Sequence, residues 1–102
     1  MKELKTSSFK NLIQESSPVL VEFWATWCSP CKAMLPVLEK LEPIYKNITF
    51  AKVNIEECRE ISSQYGISSV PTIIIFDNAA PAQSFIGLKT EKALKSILDE
   101  WK

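Results

Sequence analysis

The sequence predicts an α/β fold built around a parallel β-α-β unit, and three stretches predict it. Val19 to Ala25 is apolar at nearly every position except Glu22, as expected of a strand buried on both faces of a parallel sheet. Met34, Val37, Leu38, Leu41 and Ile44 then supply the apolar stripe of a helix. Ile48 to Ile55 alternates apolar and polar residues, with Phe50, Ala51, Val53 and Ile55 the apolar members, and reads as the strand returning from a right-handed crossover.

The other elements follow in chain order. Lys2 to Lys5 is short and mixed and suits an edge strand. Phe9, Leu12 and Ile13 recur at helical spacing behind Thr6, Ser7 or Ser8 as N-cap, giving a first helix that Ser16-Ser17-Pro18 ends. The second helix starts near Cys28 or Ser29. Pro30 fits its first turn, where an N–H has no helical partner to lose. Pro36 removes the bond to the Lys32 carbonyl and should bend the axis, and Pro43 should bend or end it. Glu57 to Tyr65 is a short, largely polar helix stopped by Gly66. Val70-Pro71-Thr72 leads into the buried strand Ile73 to Phe76. Asp77 to Pro81 is a turn before a weaker strand, Ala82 to Ile86, and the two strands form a hairpin. After Gly87, Thr90 caps a last helix with Leu94, Ile97, Leu98 and Trp101 on one face.

The 102 residues make one domain, 1–102, large enough to bury roughly 60–65% of its unfolded surface without metals or disulfides. Twelve basic and twelve acidic residues cancel, with no long run of one sign, which excludes nucleic acid and an anionic membrane as partners. No apolar segment approaches the ~18 residues of a membrane span, and Met1 to Lys5 leads into polar Thr6-Ser7-Ser8 where a signal core would be apolar. The chain reads as cytoplasmic. Three cysteines are an odd number in a chain that needs no stapling, which argues for redox or metal chemistry over a structural disulfide framework.

That chemistry centres on Trp27-Cys28-Ser29-Pro30-Cys31-Lys32, at the C-terminal end of the first crossover strand, the sheet edge where reactive groups collect in α/β folds. At a helix start, thiols three positions apart have Cβ atoms roughly 5–6 Å apart, close to disulfide reach. Unpaired N–H groups and the positive end of the helix dipole favour a thiolate at Cys28, the exposed first position. Half a zinc site is the competing reading. Zinc wants four Cys or His ligands, and with no His and only Cys58 left over, one chain cannot supply them, so no metal is expected.

The motif and its surroundings resemble thioredoxins over essentially the full length. The matching residues are Phe23-Trp24-Ala25, Trp27 to Lys32, Pro36, Ala51-Lys52-Val53-Asn54-Ile55, Tyr65-Gly66-Ile67, Val70-Pro71-Thr72 and Gly87. The resemblance implies a thioredoxin fold, a central mixed five-stranded sheet flanked by four helices. It also implies a protein disulfide reductase that needs no cofactor of its own, is recharged by an NADPH-dependent thioredoxin reductase, and acts as a monomer on disulfide-containing proteins. Cys28 would be the nucleophile and Cys31 the resolving thiol, with a Cys28–Cys31 disulfide as product.

Further roles follow from the same resemblance. A cis bond at Pro71 would turn the Val70 backbone outward for a substrate segment to pair with. Trp27, Pro30, Val70, Ile86, Gly87 and Leu88 would form a flat apolar surface around the sulfurs, Leu88 being the one that best suits a scattered surface hydrophobe. Glu22 stands where the family usually has Asp. Buried there, with its proton affinity raised, it would take a proton from Cys31, and Lys52 would pair with it. A structural buried ion pair is the plainer alternative. Ser29, in place of the commoner Gly, would donate to the Cys28 sulfur, and Cys58 reads as a passive thiol. Two other activities fit the fold: a dithiol oxidase or isomerase, which would usually carry His between the cysteines, and a docking subunit in which the thiols are incidental.

Overall fold

The computed structural model describes residues 1–16 and 18–101. In chain order its elements are β1 (Lys2–Leu4), α1 (Thr6–Glu15), β2 (Val19–Trp24), α2 (Ser29–Leu41), β3 (Thr49–Asn54), α3 (Arg59–Gln64), β4 (Thr72–Asp77), β5 (Ala80–Ile86) and α4 (Glu91–Asp99). The five strands form one sheet in the order β1-β3-β2-β4-β5. β1, β3 and β2 run parallel, and β4 and β5 join antiparallel, so the sheet is mixed. This is the predicted thioredoxin fold.

Side chains alternate across each strand, so every central strand feeds two cores. Val19, Val21 and Phe23 point with Ala51, Val53, Ile74 and Phe76 toward Phe9 and Ile13 of α1 and Ile61 of α3. Leu20 points the other way, with Phe50, Ile73 and Ile75, toward Met34, Leu38 and Leu41 of α2 and Leu94 and Leu98 of α4. Helices therefore cover both faces, as an apolar run such as β2 requires.

Several boundaries differ from expectation for local reasons. The α1 N-cap is Lys5, not a serine or threonine after it: Ser8 lies inside the first turn and its Oγ accepts from the Lys5 N–H at 2.9 Å. Ser16 is the C-cap of α1, and Ser17 of the expected stop lies outside the described residues. Ile44 is not part of the α2 stripe. The helix ends at Leu41, ahead of Pro43, leaving Ile44 54% exposed while Tyr45 turns inward and its hydroxyl donates to Asp99 Oδ1 at 2.7 Å. α3 starts at Arg59, later than Glu57, because Asn54 Oδ1 accepts from the Glu56 N–H at 2.8 Å and turns the chain first.

α3 ends as expected, with Gly66 at φ 64°. The Ile67 N–H reaches the Ser62 carbonyl at 2.8 Å and the Gly66 N–H the Ser63 carbonyl at 3.2 Å, the pair of bonds that closes a helix on a left-handed residue. The hairpin turn is shorter than predicted. Asn78 and Ala79 alone make it, both at positive φ, so β5 already begins at Ala80. Pro81 is accommodated because β5 is an edge strand with a register shift opposite Ile75 and Phe76.

Candidate active site

The sheet register gathers the predicted residues at one edge. β2 ends at Trp24 and delivers Ala25 to Cys28. β4, antiparallel to it, starts beside that end, with Phe23 opposite Thr72, and so brings Val70 and Pro71 alongside. β5 returns with Ile86 opposite Thr72, and the Gly87 N–H donates to the Pro71 carbonyl at 2.8 Å. The Val70–Pro71 peptide bond is cis.

Cys28 and Cys31 are joined by a disulfide with their Cα atoms 5.3 Å apart. Their environments differ. Cys28 is the N-cap of α2, extended at φ −91° and ψ 102°, and its Sγ accepts the Cys31 N–H at 3.2 Å. Cys31 sits inside the first helical turn. Ser29 does not supply the expected hydroxyl donor: among the described residues, the group donating to the Cys28 sulfur is the Cys31 backbone. Nor is Cys28 exposed. It is only 3% accessible, because Ala25, Trp24, Ile55 and Val70 close around the pair. The accessible apolar groups at this edge are Trp27, 67% exposed, with Ile86 and Leu88, while Val70 and Gly87 are half-buried and Ser29 and Pro30 are exposed.

Glu22 lies in the middle of β2, 1% accessible, and its Oε2 is buried with no hydrogen-bond partner. Burial pushes its carboxyl up to about 7. The Lys52 charge opposes that rise and Glu3 adds to it. The expected ion pair between Glu22 and Lys52 is not formed. The two residues stand opposite each other in the parallel register, but the Lys52 ammonium pairs with Glu3 Oε1 at 3.8 Å and lies 5.2 Å from the centroid of the Trp24 ring. Sequence reasoning missed Glu3, whose Oε2 also accepts the Trp24 indole N–H at 3.3 Å. Its only signal was a carboxylate on an edge strand that pairs with the strand carrying Lys52. Cys58 is buried away from the disulfide, and its thiol is pushed up by burial.

Among the described residues no cluster of three or more His, Cys, Asp or Glu could hold a metal ion, and no helix is long and apolar enough to cross a membrane.

Comparison with known proteins agrees with this geometry. The thioredoxin family model matches residues 1–100. A thioredoxin from Alicyclobacillus acidocaldarius is 42% identical over 96 residues, covering 93% of this chain and 91% of its own length. A bifunctional thioredoxin reductase/thioredoxin from Mycobacterium leprae is 38% identical over 95 residues, 92% of this chain but 21% of that protein. A Plasmodium falciparum thioredoxin structure superposes with a TM-score of 0.94 at 28% identity, with full coverage of both chains. The chain belongs to the thioredoxin family of thiol-disulfide oxidoreductases, and Cys28–Cys31 is its active-site pair.

Proposed function

We propose that this protein is a general protein disulfide reductase working through its Cys-Ser-Pro-Cys motif. The observation that carries the proposal is the asymmetry of the pair. The Cys28 sulfur caps α2 and accepts the Cys31 N–H, so in the reduced protein negative charge is favoured on Cys28. Its thiolate attacks one sulfur of a substrate disulfide, forming a mixed disulfide and expelling one substrate thiolate. Glu22 accepts the Cys31 proton, and the Cys31 thiolate then attacks the Cys28 sulfur. That expels the second substrate thiolate and leaves the Cys28–Cys31 disulfide, with two electrons passed to the substrate. A buried carboxyl with one oxygen unpartnered and its proton affinity near neutrality suits such a transfer in both directions. Lys52 limits how far that affinity rises.

Substrate proteins dock on Trp27, Ser29, Pro30, Ile86 and Gly87 and pair their backbone with Val70, ahead of Pro71. Because the Cys28 sulfur is nearly enclosed, only a segment lying along this edge reaches it. An NADPH-dependent thioredoxin reductase returns the pair to the dithiol, a partnership supported by the bifunctional thioredoxin reductase/thioredoxin of Mycobacterium leprae. The protein acts as a monomer in the reducing cytoplasm.

The test is the equilibrium reduction potential of the pair in a Cys58→Ser background, read from tryptophan fluorescence against a thiol buffer. In this two-electron couple ~30 mV is a tenfold change. A potential well below the glutathione poise is expected. A value well above it overturns the reductase reading in favour of an oxidase or isomerase. Cys31→Ser should in addition trap substrates covalently on Cys28, where a docking subunit would hold them noncovalently.

A further inference from the structure

Strand pairing sets three charged residues in a row across the sheet. Glu3 on β1 stands opposite Lys52 on β3, and Lys52 stands opposite Glu22 on β2. The lysine thus has a carboxylate on either side, one at the rim and one in the interior. Its ion pair is with the rim carboxylate, at 3.8 Å, and the same Glu3 side chain accepts the Trp24 indole N–H through its other oxygen at 3.3 Å. With the ammonium 5.2 Å from the centroid of the Trp24 ring, these contacts join Glu3, Lys52 and Trp24 into one closed cluster. The Glu22 Oε2 is left without any partner.

We propose that Glu3 is a positioning residue for the redox site: by binding the Lys52 ammonium and the Trp24 indole at the sheet's rim, it keeps that cation from becoming the counter-ion of Glu22.

The choice of partner follows from solvation. At the rim the lysine and Glu3 keep part of their hydration, their side chains being 22% and 32% exposed. Pairing with Glu22 instead would draw the ammonium toward a dry interior, where the desolvation cost of both ions is large. Removing Glu3 takes away the competing carboxylate and leaves Lys52 with Glu22 as the nearest anion along the row. Lys52 and Glu3 are the charges that act on Glu22, and β4 opposes it with the apolar Ile73. The two cysteines are disulfide-bonded and do not titrate. Glu3 also acts on Glu22 directly, but across two strand spacings, ~10 Å, its repulsion is weak beside the gain of a neighbouring cation. The inference rests on the proton-accepting part of the proposed function only for its catalytic consequence.

The experiment titrates the Glu22 carboxyl in the oxidised full-length protein, by carbon-13 NMR of labelled glutamate, in wild type, Glu3→Gln, Glu3→Asp and Lys52→Met. Glu3→Gln should lower the Glu22 midpoint by about one unit or more. Glu3→Asp should restore most of the wild-type value, and in the Lys52→Met background Glu3→Gln should have little effect. An unchanged midpoint in Glu3→Gln overturns the proposal, as does an undiminished effect without Lys52, which would mark direct repulsion as the cause. In a parallel measurement, the pH profile for release of a mixed disulfide from Cys28 should shift with the midpoint. If the midpoint moves and the profile does not, Glu3 keeps its assignment and Glu22 loses its part in proton transfer.

Discussion

The Cys31 N–H points at the Cys28 sulfur from 3.2 Å, so one member of the redox pair stabilises charge on the other through its own backbone. The donor is fixed by helix geometry and requires no side chain. In the reduced Cys58→Ser protein, iodoacetamide should therefore modify Cys28 first, with an apparent pKa below the ordinary thiol value of about 8.5. Peptide mapping after brief alkylation checks this. Equal labelling of Cys31 would contradict it.

Glu22 gives the oxidised protein a characteristic dependence of stability on pH. Its folded value of about 7 lies above the usual 4.5, so the native state binds the proton more tightly than the unfolded chain does. The corresponding stability is fully present below pH 4.5, falls as pH rises toward about 7, and levels off above, a change of about 3 kcal/mol. Glu22→Gln should flatten that slope. Urea denaturation midpoints from pH 4.5 to 8 decide the matter, and equal slopes in the two proteins would count against a buried titrating carboxyl.

Trp27 is the largest exposed apolar side chain beside the sulfurs. Truncation to alanine should lower kcat/KM for a protein disulfide by about tenfold, the scale of an interface anchor, while leaving reduction of a small aliphatic disulfide nearly unchanged. Stability should stay within ~0.5 kcal/mol, as for other exposed positions. Equal losses on both substrates would place the tryptophan in the chemistry and not in docking.

Gly66 tests a backbone effect separately from packing. Beyond its own chain neighbours no atom lies within 4 Å of a Cβ added there, so Gly66→Ala meets no tertiary clash, yet its φ of 64° disfavours any L side chain. The substitution should destabilise the protein by about 1 kcal/mol, lowering Tm by roughly 4–8 °C. An unchanged Tm would mean that the turn relaxes freely.

The parts that were legible in the sequence are those encoded by neighbouring residues. Val19 to Trp24 and Ile73 to Phe76 announced central strands because both of their faces are buried, and the phase of α2 could be followed as far as Leu41. Beyond that point the phase failed at Ile44, where the helix had already ended before Pro43. The Asn78–Ala79 turn is shorter than the sequence suggests because Ala79 takes a left-handed conformation without the glycine that usually signals it. What depends on register was not legible. Whether Lys52 pairs with Glu22 or Glu3 is decided by the strand on its other side, and the enclosure of Cys28 depends on Val70, which arrives 42 positions later in the chain.

Cys58 packs with Leu4 and Ile61 in the core beneath α1 and α3, whereas Cys28 and Cys31 belong to a separate cluster at the strand ends. The fold thereby insulates its third sulfur from its own circuit. Exchange at the pair is left to its own two sulfurs, because the third is held in the other core and does not face them. That insulation lasts as long as β1 stays zipped to β3, since Leu4 both covers the Cys58 thiol and offers it a carbonyl at 3.6 Å.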